Sequence, residues 1–291
     1  MSRRAIRAVV LMLTALPSAA AVAAPDTVYF PSADGKTELV GYLFRPPAPG
    51  PHPAIVLLHG RGGPYSLNVN KDCTLVSRAS PSADCNANGL SRRHLMWGQY
   101  WADHGYFALL PDSFGPRGKA HGFGRFTHGD ADRDDVNEKT VRPLDAEGAL
   151  AWLRGQQDIV HDRIFLQGWS NGGSTALNVM QRQGKATSGF RAALAFYPGC
   201  GPAALLVQTL TSAAPITMLL GSDDEEVSPE RCQEVAQRSI AAGSKIDVTL
   251  YPGATHDFDD PGRRRQSVPA NAAALKDAMV RAIAAVDALK P

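Results

Sequence analysis

Arg163-Ile164-Phe165-Leu166-Gln167-Gly168-Trp169-Ser170-Asn171-Gly172 passes from a short apolar run into a serine flanked by glycines. Residues 163–166 predict a strand, and the alanine- and leucine-containing stretch 172–181 predicts a helix. Side chains at 168 and 172 would crowd so tight a strand-to-helix turn, which accounts for glycine at both positions. The turn would lift the Ser170 hydroxyl above the end of the strand. It would also leave the Asn171 amide at the helix start, where negative charge is favoured.

The same alternation runs outward in both directions. Upstream, 27–30 and 38–44 predict strands around the turn Ala33-Asp34-Gly35, and 54–58 predicts a strand buried on both faces. A helix over 95–104, a strand over 106–110 and a helix over 145–154 follow. Downstream, strands are expected at 192–196, 216–220 and 246–251, with helices at 229–242 and 271–289. Eight strands alternating with helices imply an α/β chain, a mostly parallel eight-stranded sheet with helices on both faces. One unbroken alternation implies a single domain over 24–291. Two polar stretches, 61–93 and 112–135, interrupt the rhythm after the carboxyl end of a strand, the face where such sheets bind ligands.

Residues 1–23 read as a cleavable secretory leader: Arg3, Arg4 and Arg7, then the apolar run 8–16, then Ala21-Val22-Ala23 as cleavage site. No other segment is apolar and long enough to span a bilayer, so the expected location is periplasmic or secreted, with no membrane contact after leader removal. Formal net charge is +2 for the whole chain and about −1 without the leader, which gives no reason to expect nucleic acid. Four cysteines suit an oxidising compartment. Cys73 and Cys85 share one polar loop, and Cys200 and Cys232 each follow a strand, so two bridges with those pairings are expected. No cysteine or histidine spacing fits zinc, and no glycine-rich dinucleotide fingerprint follows an early strand, so neither metal nor cofactor is expected.

A serine hydroxyl needs a base to become a nucleophile. Of eight histidines only His256 follows Ser170, in Tyr251-Pro252-Gly253-Ala254-Thr255-His256-Asp257-Phe258, just past the last strand. The acid expected between them lies among Asp223, Asp224, Glu225 and Glu226 after the strand at 216–220. Spacing from Gly221 favours Asp224, with Asp223 as the alternative and the remaining carboxylates facing water. Donors for a tetrahedral oxyanion are expected from the amides of Asn171 and of Arg61, the latter in His59-Gly60-Arg61-Gly62-Gly63. His59 precedes the nucleophile and suits a structural hydrogen-bonding role. The run Asp112-Ser113-Phe114-Gly115-Pro116-Arg117-Gly118 and the group His121, Phe123, Arg125, Phe126 and His128 would either line a pocket or brace loops. Trp97, Tyr100 and Trp101 suit helix packing.

Together these motifs resemble the dienelactone hydrolase family of the α/β-hydrolase fold, from about the second strand to the last helix. The resemblance rests on the 59–63, 168–172, 221–224 and 251–258 stretches with Pro229, and it puts Ser170, Asp224 and His256 at the places of the family triad. It implies hydrolysis of a small-molecule carboxylic ester or lactone. The chain departs from the pattern with Ser170 where cysteine is usual, with Arg61 where an acidic residue is usual, and with one residue more between Asp224 and Pro229. A prolyl-type serine peptidase and a binding protein on a hydrolase fold are the competing readings. No propeller repeats accompany the first.

Overall fold

The computed structural model describes residues 24–127 and 129–289. The leader expected over 1–23 and the side chain of His128 lie outside the described residues. Among the described residues one sheet holds eight strands: β1 (Asp26–Pro31), β2 (Glu38–Phe44), β3 (His52–Leu58), β4 (Phe107–Asp112), β5 (Ile159–Trp169), β6 (Ala193–Phe196), β7 (Ile216–Gly221) and β8 (Ile246–Tyr251). Helices α1 (Arg92–Asp103), α2 (Arg142–Arg154), α3 (Asn171–Gln183), α4 (Pro229–Ala241), α5 (Arg263–Gln266) and α6 (Pro269–Asp287) connect and follow them.

The strand order is β1-β2-β4-β3-β5-β6-β7-β8. β2 runs antiparallel to β1 and β4, and every other neighbouring pair is parallel. Each face of the sheet is covered. On one side Ala149 and Leu153 of α2, Leu177 and Met180 of α3 and Val235 of α4 pack on Val56, Leu166 and Met218. On the other, Trp97 and Trp101 of α1 and Ala278 and Ala282 of α6 pack on Leu57, Phe165 and Leu219. This is the α/β arrangement expected from the alternation.

The topology fixes where a site can form. The chain leaves β3 for β4 on one side and returns through α2 to β5 on the other, so β3 and β5 flank a switch point. Crossover loops diverge there and open a crevice beyond the carboxyl ends of the strands. Arg61 follows β3 and Ser170 follows β5, on the two lips of that crevice.

Both expected bridges are formed, Cys73–Cys85 and Cys200–Cys232, across sequence separations of 12 and 32. The first staples the loop between β3 and α1, and the second ties the segment after β6 to α4. Chain entropy assigns them about 3 and about 4 kcal/mol. Replacing Cys200 and Cys232 together by serine is therefore expected to lower the urea midpoint more than replacing Cys73 and Cys85. Equal midpoints for the two double variants would contradict that ranking.

Candidate active site

Ser170 stands at the turn between β5 and α3 with φ 52° and ψ −115°, a conformation that few residues other than glycine adopt. Its neighbours make the turn possible. A Cβ on Gly168 would lie 2.1 Å from the Gly172 carbonyl oxygen, and one on Gly172 would lie 1.9 Å from that of Leu58. The Ser170 amide donates to the Phe196 carbonyl (2.9 Å), which pins the turn to β6.

His256 arrives on the loop after β8 and is 1% exposed. Asn271, at the start of α6, accepts from the Thr255 amide (2.9 Å), and the His256 amide donates to Glu225 Oε2 (2.9 Å). The loop is thus held from both sides. The imidazole joins two side chains far apart in sequence: Nε2 lies 3.0 Å from Ser170 Oγ, and Nδ1 lies 2.8 Å from Asp224 Oδ2. With Nδ1–H donating to the carboxylate, Nε2 is left to accept from the hydroxyl. Asp224 is itself fixed, because Oδ1 accepts from the amides of Glu226 and Val227. Burial presses the His256 pKa down, but the Asp224 hydrogen bond and the charges of Asp257, Asp224 and Glu226 outweigh it, so the net shift is upward. Asp223, the alternative acid, is exposed and accepts from Ser222 instead.

The Asn171 amide opens α3, where it has no intrahelical acceptor, and its side chain is gripped by the buried guanidinium of Arg142. Arg142 also donates to the His59 carbonyl (2.8 Å), so one cation ties the loops after β3 and β5 together. Arg61 is held along its whole length. Its carbonyl accepts from the Phe123 amide, Nη1 donates to the Phe123 carbonyl, and Nε and Nη2 grip Glu226. His59 is buried, donates through Nδ1 to the Gly60 carbonyl and accepts at Nε2 from the Ser113 amide. Burial, with Arg142 nearby, holds its pKa well below the usual histidine value.

A cleft of about 340 Å³ opens over Ser170 and His256, walled by Arg61, Tyr65, Leu67, Arg93, His94 and Glu226 among others. One expectation needs correction. Not all the carboxylates beside Asp224 face water: the Glu226 side chain is only 7% exposed because Arg61 and Arg125 neutralise it. Of the two roles open to the stretch after β4, its described residues take the second: residues 112–127 brace the loops and do not line this cleft. Asp112 accepts from the amides of Phe114 and Gly115 and from the Tyr65 hydroxyl, Arg117 pairs with Asp34 and Asp145, and Phe126 is 81% exposed. Glu226, His256 and Asp257 bring ligand-type atoms within 4.8 Å of one another. Each is already engaged, by Arg61, by Ser170 with Asp224, and by Arg93 respectively, so a cation there would have to displace these partners.

A model of the dienelactone hydrolase family matches residues 86–288, more than half of the chain. The chain belongs to this family. It is accordingly a hydrolase of ester bonds. Similar solved structures include a dienelactone hydrolase-like promiscuous phosphotriesterase from metagenomic libraries, at 18% identity and a TM-score of 0.66, with 92% of this chain and 99% of that chain covered. A thermophilic esterase of the Planctomycetes species Thermogutta terrifontis, with propionate bound, aligns at 18% identity and a TM-score of 0.57 over 88% of this chain and 92% of its own. The same organism's esterase 2 phosphorylated by paraoxon gives 19%, 0.58, 88% and 92%. At such identities the likeness establishes a common fold.

Sequence reasoning missed several residues that shape this hydrolase's site. Asp259, three residues past His256, is fully buried and accepts from the indoles of Trp97 (2.8 Å) and Trp169 (2.7 Å) and from the Tyr197 hydroxyl. Arg93 Nε lies 3.4 Å away, an ion-pair contact rather than a hydrogen bond. Tyr197 in turn packs its ring 4.7 Å from the His256 ring. Arg142 was likewise not singled out. The one available signal was aspartate at every second position, 257 and 259, around a phenylalanine.

Proposed function

We propose that this hydrolase is an exported serine esterase, a single domain over 24–291 after loss of the 1–23 leader, that cleaves a carboxylic ester or lactone through an acyl-enzyme on Ser170. The observation that carries the reading is the unbroken contact chain from Ser170 Oγ through His256 to Asp224. Export is supported by the two disulfides, and no described helix is long and apolar enough to cross a membrane.

In this reading Ser170 Oγ attacks the ester carbonyl while its proton passes to His256 Nε2. Asp224 holds the imidazole orientation and stabilises the imidazolium. The amides of Arg61 and Asn171 receive the oxyanion, donors worth about 3 kcal/mol each when removed. Collapse breaks the bond to the alcohol, which leaves with the proton from Nε2. Water then attacks the acyl carbon, gives its proton to His256, and frees the acid and the Ser170 hydroxyl. No cofactor enters the scheme.

A fluorophosphonate should add to one residue, and peptide mass mapping should place the adduct on Ser170. Short-chain p-nitrophenyl esters should turn over while proline-containing peptides do not. Folded protein that takes no label would be a binding protein on this fold, and preferential cleavage of the peptides would make it a peptidase.

A further inference from the structure

We infer that Glu226 is a positioning residue of the reaction, a carboxylate that fastens the oxyanion loop after β3 to the base carried by the β8 loop. The inference rests on the serine-esterase reading above. Glu226 follows β7, on the same loop as Asp224, yet its carboxylate faces the other side of the imidazole. Oε2 lies 3.7 Å from His256 Nε2, while Asp224 serves Nδ1. The same carboxylate takes Arg61 Nε at 3.1 Å and Nη2 at 2.9 Å, a forked contact. Arg125 closes on Oε1 at 2.7 Å.

Two consequences follow from this geometry. The Arg61 amide belongs to the residue whose side chain Glu226 grips, so the carboxylate sets how that amide faces the cleft. When Nε2 takes the Ser170 proton, the new positive charge lies between Asp224 and Glu226. Without Glu226 the guanidinium of Arg61 would lose its carboxylate beside that charge, while Arg125 would keep only Glu225. The charged and titratable groups around His256 are Asp224, Glu225 and Glu226 from the β7 loop, Asp257 from its own loop, Tyr197 after β6, and Arg265 of α5, which pairs with Glu225 and Asp257. Arg61 and Arg93 answer Glu226 and Asp257.

The test measures kcat and KM against pH for p-nitrophenyl acetate in the wild type, Ser170→Ala, Glu226→Gln and Arg61→Lys. His256 must be neutral to act as base, so protonation sets the acid limb of kcat/KM. Removing a nearby negative charge favours the neutral ring. The limb of Glu226→Gln should therefore move to lower pH by about one unit, and kcat should fall about tenfold with KM nearly unchanged. Arg61→Lys keeps both charges but loses the fork, so kcat should fall with the limb in place. A merely structural role for Glu226 would lower the melting temperature and leave the limb where it is. An unmoved limb with kcat within about twofold of wild type overturns the inference. If Glu226→Gln does not fold, wild-type kcat in Arg61→Lys overturns it independently. Turnover that survives in Ser170→Ala would instead bring down the esterase reading itself.

Discussion

Ser170→Ala is expected to lower kcat for a short-chain ester by about four to six orders of magnitude with little change in KM. The substitution deletes one oxygen and nothing that holds the turn. The pin from the residue 170 amide to the Phe196 carbonyl is main-chain, and Gly168 and Gly172 still admit the close approach. His256 keeps Asp224 at 2.8 Å, so the base survives without a proton to take. Residual turnover would come from the oxyanion donors and from water. Initial rates together with a urea unfolding curve check this. A kcat within about a hundredfold of wild type would mean that Ser170 is not the attacking group, and a large fall in stability would mean that its hydroxyl helps to hold the turn.

Asp259→Ala is expected to destabilise the fold by about 3–5 kcal/mol, the cost of leaving several buried donors without an acceptor. Two indole N–H groups and the Tyr197 hydroxyl would lose their partner. The remaining carboxylates of Asp257 and Asp260 do not reach the indoles but still pair with Arg93. Burial raises the Asp259 pKa, with Arg93 only partly opposing it. The folded protein therefore holds this proton more tightly than the unfolded chain, and stability falls as pH rises from the ordinary aspartate range to the raised value. Urea midpoints for wild type and Asp259→Ala at pH 4 and pH 7 measure both effects. The variant should also lose activity, because Asp259 anchors the loop that carries His256. A loss under about 1 kcal/mol would remove Asp259 from its anchoring role.

Local signals were legible in the sequence, and long-range ones were not. Residues 38–44 and 246–251 read as strands with the bounds the structure gives them, because their apolar runs end at turn-forming residues. The family was legible from motifs that each occupy fewer than ten residues. Element starts were misread where charged residues lie inside. Helix α1 begins at Arg92 rather than 95 because Ser91 caps it and His94 turns into the core. Helix α2 begins at Arg142 rather than 145 because that arginine is fully buried. Strand β5 extends back to Ile159 through the polar residues His161 and Asp162, next to an irregularity in its pairing with β3. The roles of Asp259 and Glu226 were unreadable for one reason. The side-chain hydrogen-bond partners of their carboxylates lie 62 to 165 residues away, and only the folded sheet brings them close.

His256, the proposed base, sits beyond β8, the last strand among the described residues and one edge of the sheet. A nascent polypeptide therefore carries the serine elbow long before it carries the group that would activate it. On the proposed mechanism the molecule stays silent until β8 has added to the edge and α6 has docked behind it, so ester turnover reports how far folding has gone.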